Sequence, residues 1–346
     1  MRRWARTLLM IAAYLLTVSC ISHVRQPYDA STGAVSAAPA GPFVAARTAV
    51  EMQREPALRP NRRNYTVERF RFAATGNNGQ PDGTVSGRLF SGRTVGRRPV
   101  VIVLPVWGIS EYPSKKFTRD LLKRSGGEID VMLVESEAYL IDWDALTNAA
   151  TETQFRALAH DTGDRLRDMV MDVRRMVDWL GTQERIDPQR IGVIGFSLSA
   201  VVASLTLQHE PRLAAGVVVL GGSNPAEIFA VCTGRPGQVR KAAMQRFGFS
   251  PETYLQIFQE GLAGGDSRAY PGRIPDPSRL LFIEATHDHC MTQESRDGLW
   301  QALGKPQRIS FNFDHRPAFY AMTPLGFNIM GRYTTRFFEQ TLTPKP

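Results

Sequence analysis

The chain of 346 residues reads as an α/β protein with a mainly parallel sheet and helices on both faces. Three observations predict this. Short runs that are apolar throughout recur along the chain, as in strands covered on both faces. Amphipathic helical stretches separate these runs, and such alternation implies parallel strands joined by crossover helices. One strand-to-helix turn, Gly195-Phe196-Ser197-Leu198-Ser199, sets a serine between small residues.

The first two strands differ from the rest. Residues 65–72 and 84–90 alternate apolar and polar side chains, as half-exposed strands do. The turn Asn77-Asn78-Gly79 between them predicts an antiparallel hairpin at one sheet edge. The runs 100–104, 129–134, 190–194, 217–220 and 280–283 are the buried strands, and 308–313 alternates again. The clearest helix covers 164–180. Leu166, Met169, Val170, Val173, Val177 and Leu180 form one apolar stripe, and Gly181 is placed to end it. Further helices are expected near 117–124, 200–208, 293–303 and 324–340.

Residues 224–278 are too long for a simple crossover between two core strands. They hold helical pieces at about 237–247 and 251–262, with Phe229, Phe247, Phe249, Tyr254 and Phe258. One reading is a cap over a site, its aromatics facing an apolar or aromatic ligand group. The other is a surface excursion whose aromatics pack on their own core.

The turn at 195–199 follows an apolar strand and precedes the helical run 200–205. A serine at such an apex is held in a strained conformation with its hydroxyl exposed. Strand and helix backbones nearly touch there, which demands small neighbours. In these residues, and in the lead-in Arg185-Ile186-Asp187-Pro188-Gln189-Arg190-Ile191, the chain resembles the α/β-hydrolase superfamily, in its serine-esterase and dienelactone-hydrolase-like branches. The family pattern is G-x-S-x-G, and this chain has Ser199 at the last position. The resemblance covers roughly residues 64–340.

That resemblance implies a Ser-acid-His order along the chain. A serine hydroxyl needs a base to take its proton, and the base needs a carboxylate to orient it. Ser197 is the expected nucleophile. Asp288 follows the strand at 280–283, where the family carries its acid. His315 follows the last strand and is the expected base. His287 and His289 are read as loop residues beside the acid, because no metal-ligand spacing is present, and no metal or cofactor is expected. Glu284 lies within a strand, Asp314 adjoins His315 in sequence, and Ser199 falls on the helix, so none fits a triad role. The oxyanion needs two backbone donors. One is expected at Leu198. The other is expected at Trp107, with Val106 its near rival, in a loop where the family often has His-Gly and this chain has Trp-Gly.

The expected activity is hydrolysis of a carboxylic ester or related acyl bond of a small molecule. Acyl transfer, thioester cleavage and amide cleavage use the same triad. The rival from another class is a non-catalytic binding protein on this scaffold, kept open by Ser199 and Trp107.

Composition bounds the rest. Net charge is +9 at neutral pH, with Arg2, Arg3 and Arg6 in the first six residues. Beyond pairs such as Arg62-Arg63 and Arg97-Arg98 no basic stripe appears, which argues against a nucleic-acid partner. Residues 1–19 have a basic start and an apolar run, Leu8 to Val18, too short for a permanent membrane span. They resemble a bacterial lipoprotein signal, with Cys20 the lipid-attachment residue. This implies export, membrane anchorage through the lipid, and outer-membrane sorting on the periplasmic side. An ordinary secretory signal cleaved near Ala38-Pro39-Ala40 is the rival. Residues 20–62 are rich in Ala, Pro and Ser and read as a flexible tether. The hydrolase domain is then 63–346, and the resemblance implies that its insertion at about 224–278 is a helical cap. Cys232 and Cys290 are left as a disulfide pair in an oxidising compartment or as two buried thiols.

Overall fold

The computed structural model describes residues 22–29, 43, 49–61, 65–76, 83–106, 112–135, 141–324, 326 and 328–343. Among them are ten strands in one sheet: β1 (His23–Gln26), β2 (Gln53–Asn61), β3 (Tyr65–Ala73), β4 (Thr84–Gly92), β5 (Arg98–Val103), β6 (Asp130–Val134), β7 (Ile186–Phe196), β8 (Leu213–Val219), β9 (Leu280–Ala285) and β10 (Gln307–Phe311). Their spatial order is β1-β10-β9-β8-β7-β5-β6-β4-β3-β2. The six from β10 to β6 are mutually parallel, and antiparallel strands flank them on both sides.

Every residue of β5, β6 and β9 is buried, which is why those segments read as continuous apolar runs. Alternation is still present within them. Val100 and Ile102 face the layer built from α3 (Glu152–Gly181) and α4 (Leu198–His209). Val101 and Val103 face the layer of α1 (Tyr112–Arg124) and α10 (Ile329–Leu342), where Phe117 packs edge-on against Phe338. The remaining helices are α2 (Trp143–Asn148), α5 (Pro225–Val231), α6 (Arg235–Phe247), α7 (Pro251–Gly261), α8 (Gln293–Ala302) and α9 (His315–Ala318).

The helix expected at 164–180 begins a dozen residues earlier. Thr151 caps it, its hydroxyl accepting from the Gln154 N–H at 3.2 Å. The early turns carry the apolar stripe in Phe155 and Ala159, which face the insertion rather than the sheet. The helix ends at Gly181, where its glycine is placed.

Within the tether expected at 20–62, the described residues include two strands and a buried phenylalanine. β1 pairs antiparallel with β10, and β2 pairs antiparallel with β3. Phe43 is buried against the rings of His209 and Tyr270. The hairpin of β3 and β4 is therefore not the sheet edge, because β2 lies outside it. Both outer strands escape a pattern search for the same reason. An edge strand is held by backbone hydrogen bonds on one side and tolerates polar side chains and proline, here Pro56.

The insertion leaves after β8 and returns at β9 through α5, α6, α7 and three 3-10 turns. Its aromatics form a core of their own. Phe229 stacks on Phe258 with centroids 3.9 Å apart. Phe247, Phe249, Tyr254 and Phe258 surround Phe155 of α3. These rings are spent on packing, so they do not imply an aromatic ligand. The helices α3 and α7 approach closely because both carry glycine at the crossing. A Cβ at Gly163 would lie 1.9 Å from the Gly261 carbonyl oxygen.

Replacing Phe155 by Ala removes the ring at the centre of this cluster. We expect a loss of about 3–5 kcal/mol of stability, read as a lower urea midpoint with an unchanged slope.

Candidate active site

β7, β9 and β10 run parallel, so the loops leaving their C-terminal ends gather at one edge of the sheet. Each carries one residue of the expected triad.

Ser197 lies between the last residue of β7 and the first of α4. Its backbone has φ 55° and ψ −121°, a conformation that costs a serine about 1–3 kcal/mol. The surroundings leave it no alternative. Its N–H donates to Val219 O on β8 at 2.8 Å, and its carbonyl accepts from Ala200 N at 2.9 Å. Two residues upstream, a Cβ on Gly195 would sit 2.1 Å from the Ser199 carbonyl oxygen. Strand and helix are thus pressed together, and the serine side chain projects from the bend.

His315 opens α9 and is 3% exposed. Its Nε2 lies 2.8 Å from Ser197 Oγ, and its Nδ1 lies 2.6 Å from Asp288 Oδ2. A carboxylate only accepts, so Nδ1 carries the ring proton and Nε2 is left to accept from the serine hydroxyl. The other carboxylate oxygen of Asp288 accepts from the backbone N–H groups of Cys290, at 2.8 Å, and Met291, at 2.9 Å. Those two bonds fix the carboxylate plane and aim Oδ2 at the ring.

The competing residues have other partners. Glu284 is buried between Arg296 and Arg308 and accepts from Ser310 Oγ at 2.6 Å. His287 is exposed. His289 bridges Thr233 Oγ1, at 3.1 Å, and the Asp314 carboxylate. Asp314 also accepts from the backbone N–H groups of His315 at 2.6 Å and His289 at 3.2 Å. Burial raises its pKa, but the hydrogen bonds from His315 and His289 outweigh this and hold the carboxyl below its ordinary value.

Leu198 is the first residue of α4, where backbone N–H groups have no acceptor within the helix. Val106 is buried against the α1 face. Trp107 and Cys20 lie outside the described residues. Cys232 and Cys290 form a disulfide with Cα atoms 4.2 Å apart, which resolves the choice between bridge and thiols. Donor atoms of Cys232, His289 and Cys290 cluster, as do those of Asp288, Cys290 and His315. The disulfide and the His315–Asp288 hydrogen bond already occupy them.

Comparison with known proteins returned no matching family model and no matching curated relative. Solved structures do match. Acetyl xylan esterase 1 from Thermoanaerobacterium sp. JW/SL YS485 aligns over 84% of this chain and 89% of its own, with 14% identity and a TM-score of 0.57. Acetyl xylan esterase from Paenibacillus sp. R4 aligns over 85% and 90%, with 14% identity and a TM-score of 0.58. A cold-adapted esterase from an Arctic intertidal metagenomic library aligns over 84% and 100%, with 15% identity and a TM-score of 0.52. The chain has the α/β-hydrolase fold.

Within this hydrolase fold, Ser199 departs from the glycine of the family pattern. Its hydroxyl accepts from the Phe196 N–H at 2.7 Å and donates to the Phe196 carbonyl at 3.0 Å. The extra side chain therefore closes the turn from inside. Sequence reasoning could not find this bracket, because it depends on the turn bringing residues 196 and 199 face to face. Asp314 was set aside as the triad acid, and its geometry gives it a different task. One carboxylate cross-ties the loop carrying Asp288 to the loop carrying His315.

Two outcomes check these roles. Ser199→Ala should cost about 1–3 kcal/mol, because it strands two buried backbone groups, while labelling of Ser197 by a fluorophosphonate persists. Cys232→Ser opens a bridge spanning 58 residues. It should cost about 2–4 kcal/mol in thermal or urea unfolding.

Proposed function

We propose that this chain is a serine hydrolase that cleaves a carboxylic ester through an acyl-enzyme on Ser197. The observation that carries the reading is the unbroken line from Ser197 Oγ through His315 to Asp288. Support for an ester comes from the structural neighbours, two acetyl xylan esterases and an esterase.

The chemistry follows from the atoms in line. Ser197 Oγ attacks the ester carbonyl as its proton passes to His315 Nε2. Asp288 stabilises the imidazolium through Nδ1 without taking its proton. The carbonyl oxygen gains negative charge, and the Leu198 N–H at the start of α4 is its donor, assisted by the positive end of the helix dipole. Trp107 N–H, or Val106 N–H beside it, supplies the second donor. The tetrahedral intermediate collapses, and the alcohol leaves with the proton from Nε2. Water then attacks the acyl-enzyme, giving its proton to His315. The carboxylic acid departs and Ser197 regains its hydrogen.

We further propose that the mature chain begins at an acylated Cys20 and is held at a membrane on the exported side. The signal-like residues 1–19 motivate this.

A fluorophosphonate probe tests the nucleophile: the wild type should label and Ser197→Ala should not. Equal labelling of both would sink the proposal. His315→Ala and Asp288→Asn should each lower kcat on p-nitrophenyl acetate by about a thousandfold or more.

A further inference from the structure

One residue, Ile21, separates Cys20 from Ser22 in the sequence. The Asn312 N–H donates to Ser22 O at 3.1 Å, and His23–Gln26 continues the pairing along β10. Two residues of extended chain reach at most about 7 Å. Because β1 runs antiparallel to β10, its first residue lies opposite the last residue of β10, His23 against Phe311. That end of β10 is where the His315 loop leaves the sheet. A lipid on Cys20 would therefore emerge at the catalytic edge.

An independent observation points the same way. Among the described residues, four large apolar side chains are exposed: Val24, Val95, Val231 and Tyr320. Scattered singly, such residues mean nothing. Here three of them belong to segments around the triad. Val24 is on β1. Tyr320 follows His315 in the turn after α9. Val231 directly precedes Cys232, which is bridged to the Asp288 loop. Exposed Arg235 and Arg316 lie on the same segments, and cations beside apolar side chains suit an anionic lipid surface. Only Val95 is elsewhere, in the loop before β5 at the opposite edge of the sheet.

We infer that the catalytic edge is held against the bilayer, and that its ester substrate is carried by an amphiphile resident there. This rests on the lipid-anchored hydrolase reading above. The reaction consumes one water and returns one acid and one alcohol. The short leash raises the effective concentration of membrane esters at Ser197, a gain that a long flexible linker dilutes.

The test uses the full mature protein, purified from membranes of the expressing cell. It is reconstituted in vesicles of phosphatidylethanolamine and phosphatidylglycerol carrying a quencher on the headgroup. Fluorophores are attached at Tyr320→Cys and, separately, at Val95→Cys. The label at 320 should be quenched several-fold more than the label at 95; equal or reversed quenching overturns the inference. In a second arm, about twenty Gly and Ser residues are inserted between Ile21 and Ser22. Hydrolysis of methylumbelliferyl palmitate dissolved in the vesicles should fall about tenfold, with p-nitrophenyl acetate turnover unchanged. An undiminished vesicle rate overturns it. The mass of the N-terminal peptide reports acylation of Cys20. An unmodified cysteine also overturns the inference, while fluorophosphonate labelling and p-nitrophenyl acetate turnover still report on the triad, so the two failures are separable.

Discussion

Ser197 occupies a backbone angle that a serine adopts only when its neighbours permit no other. The constraint is the close approach of β7 and α4, made possible by the missing side chain of Gly195 and closed by the Ser199 hydroxyl. The placement of the site depends on this bend. If the turn relaxed, Ser197 Oγ would leave its hydrogen bond with His315. The strain is local, and the cooperative sheet around it supplies the restoring force. Ser197 N–H is itself bound to the neighbouring strand.

The candidate base and acid are held by different means. His315 and Asp288 sit on loops, which would be free to wander if left alone. Each is tied by its own short network: Asp288 by the amides of Cys290 and Met291, and His315 by the carboxylate that caps α9. That capping carboxylate, Asp314, also holds the His289 amide, so the two loops share one clamp. The disulfide then links the acid loop to the end of α5. The insertion is thereby coupled to the triad at its first helix, while its aromatic core is anchored on α3. Positioning and packing are served by separate parts of the same segment.

The N-terminal strand bears on the lipid anchor proposed at Cys20. A flexible linker of the length read from composition would let the domain turn freely above a membrane. A strand hydrogen-bonded to β10 would remove that freedom and set one edge of the sheet nearest the proposed attachment point at Cys20.

By itself the sequence determined the buried strands, the long helix and the order of Ser197, Asp288 and His315. Those features rest on periodicity and on local turn chemistry, which neighbours in the chain report. The elbow was legible because strand, turn and helix are contiguous. Tertiary structure alone decided four matters: the β1 and β2 pairings, the core-packing role of the insertion's aromatics, the Cys232–Cys290 bridge, and the clamp at Asp314. Each depends on residues distant in sequence meeting in space. Edge strands carry no apolar signature, because their partner supplies only backbone hydrogen bonds. An aromatic residue reads the same in sequence whether it lines a pocket or fills a core. The difference lies in what stands opposite it, and for Phe229 and Phe258 that is each other.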